Sequence, residues 1–126
     1  MLAAFEAGEA LHAKYVVDLF TEYQKAASKL PSLVKFTIPE AAKLVIVGDL
    51  HGQLKDLVFI LKENGFPGPK TIYLFNGDWV DRGAQGMEIL CVVFALHLLA
   101  PDCVFLNRGN HEDRSQNEYY NRESSG

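Results

Sequence analysis

The chain has 126 residues, a formal net charge of -4 and an isoelectric point near 5.5, and is 48% hydrophobic and 22% charged. This balance is that of a soluble globular chain, either one domain or part of a larger one, and it lacks the basic character of a nucleic-acid binder. The first residues, MLAAFEAGEALHAK, put Glu6 and Glu9 where an export signal has basic residues, and the longest apolar stretch, 87 to 100, carries Glu88 and His97 and is too short to span a bilayer.

In chain order, residues 9 to 29 predict an amphipathic helix. Leu11, Tyr15, Leu19 and Tyr23 recur at steps of four, with Val16, Phe20 and Ala27 beside them, while Lys14, Asp18, Glu22 and Lys25 take the other face. Pro31 ends it. Residues 30 to 43, with Pro31 and Pro39, read as an irregular connector. A short buried strand follows at 44 to 47. Residues 54 to 64 predict a helix with Leu54, Leu57, Val58 and Leu61 on one face, stopped by Gly65 and Pro67. A second strand is expected at 72 to 75, a second helix at 86 to 100 ending before Pro101, and a third strand at 104 to 106. The two cysteines, Cys91 and Cys103, each sit in an apolar segment and read as reduced core thiols, in keeping with a cytoplasmic or nuclear protein.

The order β-α-β-α-β implies an α/β fold with parallel strands and right-handed crossovers, preceded by an amphipathic helix. Residues 1 to 43 are then an N-terminal helix and connector, and 44 to 126 the α/β unit. The helix at 86 to 100 is apolar nearly all round, which asks for burial on more than one side. A three-strand unit offers little to cover it, so a partner layer is expected.

Each expected strand runs into glycine and then a polar cluster: VIVGDLHG (45 to 52), YLFNGDWVDRG (73 to 83) and VFLNRGNHEDR (104 to 114). The carboxyl ends of neighbouring parallel strands form the edge where open α/β sheets place ligands. Asp49, His51, Asp78, Asp81, Arg82, Asn110 and His111 are thereby aimed at one place. Carboxylate, imidazole and amide donors suit divalent cations, and a carboxylate between two ions ~3.5–4 Å apart can serve displacement at phosphorus. Arg82 offers a planar fork for phosphate oxygens. Taken singly, each residue has a duller reading. Asp49 could cap the next helix, Asp81 and Arg82 could be a surface ion pair, and Asn110 could form a left-handed turn. His12 and His97 lie within expected helices and are read as packing or solvent-exposed, and Trp79 as a packing aromatic. The joint occurrence at three strand ends favours the site.

GDLHG, GDWVDRG and NRGNHE, in this order and spacing, closely resemble the three signatures of the phosphoprotein phosphatase family, the metal-dependent serine/threonine phosphatases. LHAKYVVDLF, GDLHGQLKDLVFILKENGFP and FLNRGNHED are most similar to the EF-hand-containing, retinal-degeneration-C type, and the likeness covers residues 10 to 120. The resemblance implies the N-terminal half of a calcineurin-like metallophosphoesterase sandwich, about twice as long when complete. It implies Asp49 and His51 on a first metal, Asp78 bridging two metals and Asn110 on the second. His111 would be the general acid, Asp81 would orient it and Arg82 would grip the phosphate. The ions implied are Mn²⁺, or Fe with Zn, with only the first site complete here, and the partner is a phosphoprotein, with no nucleic acid or membrane and no regulatory subunit named. Water would attack directly, without a phosphoenzyme. Tyr120, Asn121 and Arg122 stand where the family's usual Tyr-Gly-Phe is expected. The reading is a serine/threonine protein phosphatase, weakly active or inactive as this chain. The alternatives are a non-catalytic, partner-binding product and, third, a metallophosphoesterase acting on nucleotides or nucleic acid.

Overall fold

The computed structural model describes residues 1–125, and their side chains through Tyr119. Its elements run α1 (Leu2–Glu6), α2 (Ala13–Ser28), β1 (Lys43–Val47), α3 (Leu54–Asn64), β2 (Thr71–Phe75), α4 (Gly86–Leu99), β3 (Val104–Leu106) and α5 (Arg114–Ser125). The strands form one parallel sheet in the order β1-β2-β3, with Val47 opposite Phe75 and Phe75 opposite Leu106. All three strands therefore end level, and the polar clusters leave from one edge. This is the β-α-β-α-β arrangement with parallel strands that the sequence implied.

Strand side chains alternate between the faces of the sheet. Val45, Val47, Tyr73, Phe75, Val104 and Leu106 join the core together with Leu57 and Leu61 of α3 and Ile89, Val93 and Leu96 of α4. Gly65, at φ 86°, closes α3 as its position in the sequence indicated, and its carbonyl accepts the hydroxyl of buried Tyr73 at 2.5 Å. The alternate strand positions include Ile46, Leu74 and Phe105, aligned across the strands. There the connector supplies Phe36, stacked on Phe105 with ring centroids 3.8 Å apart, but Ile46 stays 64% exposed.

The expectation that little would cover α4 is corrected by α2. Tyr23 stacks on Phe94 with centroids 3.9 Å apart, and Phe20 meets the same ring edge-on at 5.2 Å. The buried His97 ring, edge-on to Tyr23, donates Nδ1–H to the Val104 carbonyl at 2.9 Å, a packing role. Val16, Leu19 and Phe20 make the docking stripe of α2, whereas Tyr15 faces out. The helix starts four residues later than its periodicity suggested. His12 lies outside it as the N-cap, its Nδ1 accepting the Lys14 N–H at 3.1 Å. The short α1, not foreseen, contributes Phe5 to the core and ends before Gly8, at φ 80°. Both cysteines are free thiols, and burial pushes the Cys91 thiol up from its ordinary value. No described helix is long and apolar enough to cross a membrane.

Candidate functional site

The loop after β1 docks on the loop after β2 through backbone bonds. The N–H groups of Leu50 and His51 both donate to the Asp78 carbonyl at 3.0 Å, and that of Gly52 donates to Trp79 at 2.8 Å. Approach this close requires glycine. A Cβ on Gly52, at φ 72°, would sit 2.5 Å from the Gly83 carbonyl carbon, and one on Gly77, at φ 94°, 2.3 Å from the Gly109 nitrogen. Four other site residues hold left-handed backbones without being glycine: His51 (φ 42°), Asp78 (56°), Asp81 (68°) and Arg82 (71°). Non-glycine residues persist there only where their surroundings fix them. Asn110 is not among them, so its reading as a left-handed turn residue falls away.

Asp49, His51 and Asp78 each present a ligand atom, all within 4.8 Å of one another. His51 Nδ1 lies 2.9 Å from the Val80 carbonyl, which can only accept, so Nδ1 carries the proton. Nε2 is then the lone-pair atom, and it faces Asp49 Oδ2 at 3.6 Å. A histidine whose second nitrogen is tied to a carbonyl is the arrangement metal sites use to fix the ligating atom. On donor chemistry and spacing, this set fits a divalent cation. Asp49 does not cap α3, whose N-cap is Gln53. Asn110 brings its carboxamide to 3.0 and 3.2 Å from the Asp78 oxygens, donating to both when its nitrogen is turned inward. A cation between the two would call for the amide oxygen instead.

Beside this set stands a buried pair. His111 Nδ1 lies 3.1 Å from Asp81 Oδ2, with the side chains 7% and 6% exposed. Asp81 thus pairs with His111, which displaces its reading as a surface partner of Arg82. The His111 ring packs edge-on against His51, centroids 4.6 Å apart, and its backbone N–H donates to Asp78 Oδ1 at 2.9 Å. Arg82 is exposed, next to Asp81 in the same turn. Trp79 is buried, as its packing role required.

Two residues without an assigned role in the sequence reading turn out to build the site. The Glu112 carboxylate accepts the N–H groups of Asp78 and Trp79 at 2.7 Å, Gly109 at 2.8 Å and Val80 at 3.3 Å, tying the second loop to the third. Its position directly after His111 was the available signal. Asn117, in the first turns of α5, meets Asp81 and the His111 carbonyl. No periodicity announced α5, so nothing in the sequence pointed to it. The side chains of Tyr120, Asn121 and Arg122 lie outside the described residues.

The calcineurin-like phosphoesterase family model matches residues 42–126. Over 120 residues, 95% of this chain, the sequence is 44% identical to serine/threonine-protein phosphatase with EF-hands 2 of Mus musculus. It is 43% identical over 113 residues, 90% of the chain, to serine/threonine-protein phosphatase rdgC of Drosophila melanogaster. The chain covers 16% and 17% of those two proteins. With serine/threonine-protein phosphatase 5 of Arabidopsis thaliana the identity is 38% over 95% of the chain and 22% of that protein. The structure of a Saccharomyces cerevisiae serine/threonine phosphatase with similarity to human PP5 superposes with a TM-score of 0.88 at 37% identity, over 92% of this chain and 38% of that one. With its donor residues at the ends of three parallel strands and its relatives serine/threonine phosphatases, the chain belongs to the calcineurin-like phosphoesterase family.

Proposed function

We propose that this chain carries the metal-holding and proton-donating part of a site that hydrolyses phosphoserine and phosphothreonine monoesters of proteins. The observation that carries this is the packing of the His111–Asp81 pair against His51 of the Asp49, His51 and Asp78 donor set, 4.6 Å between ring centroids. Asp49, His51 and Asp78 would hold a first cation, and Asp78 with Asn110 a second. Such ions, Mn²⁺ or Fe with Zn, supply Lewis acidity and water of lowered pKa. An alkoxide leaving group needs a proton. His111, with Nδ1–H committed to Asp81, delivers it from Nε2 to the departing seryl or threonyl oxygen. Asp81 holds the ring and steadies its charge, and Arg82 binds phosphate oxygens at the rim.

One observation favours a second reading, a non-catalytic product that binds a partner. Among the described residues the second cation would find only Asp78 and Asn110 as family ligands, against three for the first.

A chimera separates the two. This chain replaces the matching 120 residues of the Arabidopsis phosphatase 5 relative, and phosphate release from a phosphothreonine peptide is measured with Mn²⁺. Turnover abolished by His111→Ala and by Asp49→Ala supports the phosphatase reading. A folded, Mn²⁺-binding chimera without turnover supports the second.

A further inference from the structure

The His111–Asp81 pair is held from behind. Asn117, on α5, places its carboxamide against three acceptors. With its nitrogen turned toward them, it lies 2.8 Å from the His111 carbonyl and 2.9 and 3.0 Å from the two Asp81 oxygens. A carbonyl oxygen and an ionised carboxylate can only accept, so the amide must present its nitrogen, whose two protons these three oxygens share. The Asp81 side chain is nearly fully buried, and its other side-chain partner among the described residues is His111 Nδ1–H. A buried carboxylate needs donors on both oxygens to stay fixed. One imidazole proton, at Oδ2, cannot occupy both.

We propose that Asn117 is a positioning residue for the His111–Asp81 pair. It anchors the carboxylate and the His111 backbone with one side chain, so that the imidazole keeps Nδ1–H on Asp81 and its Nε2 in one direction. The placement of α5 makes this possible. Asp113 accepts the Ser115 N–H at 3.1 Å and starts the helix, and the Asn117 N–H returns to the Asp113 carbonyl at 3.0 Å. Asn117 is thereby carried back over the loop that bears His111. The proposal concerns the pair's geometry, and its bearing on turnover rests on the reading of His111 as proton donor.

The test is imidazole NMR on the 15N-labelled chain, with the His111 signals assigned by their loss in His111→Gln. The native chain is expected to show a slowly exchanging His111 Nδ1–H proton. Asn117→Leu, of similar size without donors, and Asn117→Asp, isosteric with acceptors only, are each expected to speed its exchange by about tenfold or more, since losing a charge-assisted hydrogen bond is worth that factor. An unchanged resonance and exchange lifetime in either folded variant overturns the proposal.

A second readout uses the chimera and does not depend on the spectrum. Asn117→Leu is expected to lower kcat for a phosphothreonine peptide by about tenfold or more, part of what an acid contributes. KM should hold, and so should kcat for p-nitrophenyl phosphate, whose leaving group needs no proton. Equal losses on both substrates in Asn117→Leu, where His111→Ala spares p-nitrophenyl phosphate, overturn the proposal. If His111→Ala itself loses both substrates equally, the proton-donor reading fails, while an Asn117-dependent Nδ1–H resonance still upholds the positioning role.

Discussion

Glu112 Oε2 accepts the backbone N–H of Asp78 at 2.7 Å, and so holds the residue proposed to serve both cations from its main-chain side. The same oxygen takes Gly109 N–H at 2.8 Å, while Oε1 takes Trp79 and Val80. A glutamine has one acceptor oxygen, and its amide protons would oppose N–H groups. Glu112→Gln should therefore release Asp78 from its left-handed backbone, destabilise the chain by about 2 kcal/mol and weaken Mn²⁺ binding about tenfold or more. Thermal unfolding and titration calorimetry report both. A variant with native melting and native affinity would show that the loops do not rely on this clamp.

Residual metal affinity is expected in Asp49, His51 and Asp78, the set whose ligand atoms cluster within 4.8 Å. Losing a carboxylate removes a ligand and a charge facing the cation, whereas Asn110 offers one neutral oxygen. Asp49→Ala and Asp78→Ala should each weaken Mn²⁺ binding far more than Asn110→Ala, measured near neutral pH on variants with matching circular dichroism. Equal losses for all three would mean that the donors act as no such set.

The 126-residue chain alone is expected to show no significant phosphatase activity, because its second donor pair is only Asp78 and Asn110 among the described residues. Phosphate release from a phosphothreonine peptide with excess Mn²⁺ is the assay. Turnover at about one hundredth of an intact relative's rate, comparable with what an acid alone contributes, and lost in His111→Ala, would refute this.

Ile46 stands 64% exposed in line with Leu74 and Phe105, and Leu33 and Val34 of the nearby connector are also exposed. A parallel sheet left apolar and open on one side attracts other apolar surface. The purified chain should bind a hydrophobic dye or self-associate, and Ile46→Thr should reduce both. A dye-silent, monodisperse monomer with a sharp cooperative melt contradicts the expectation.

Asp113 starts α5, and its carboxyl is held below the ordinary carboxylate value, first by the Ser115 hydroxyl and then by backbone N–H groups of Ser115 and Gln116 and the Arg108 charge. Its folded value lies below its unfolded one. Its contribution is therefore complete above the unfolded value, near 3.8, and is lost as pH falls through the folded value. Amide exchange at Ser115 and Gln116 should be slow at pH 5 to 6 relative to intrinsic rates and lose protection as pH falls below the unfolded value near 3.8. Asp113→Asn, which caps without titrating, should remove that pH dependence. The same acid-induced loss in Asp113→Asn would assign it elsewhere.

Sequence alone determined the elements whose signal is local. α3 runs from Leu54 to Asn64 as its apolar spacing and Gly65 dictate, and β3 from Val104 to Leu106 between Pro101 and the polar cluster. Strand, glycine and donor also follow one another in the chain, so Asp49, His51, Asp78 and the neighbouring His111 could be named together without coordinates. Tertiary structure decided what depends on groups distant in sequence. The docking of α2 on α4 rests on Tyr23 meeting Phe94, a contact that periodicity does not encode. The proton position on His51 is set by the Val80 carbonyl, 29 residues on, and the backbone of Asp78 by a carboxylate 34 residues on. Asn117 shows the limit most plainly. An asparagine on a polar helix has no local signal of function, and only the fold brings its amide against Asp81 and His111, because a hydrogen bond selects partners by distance in space and not along the chain.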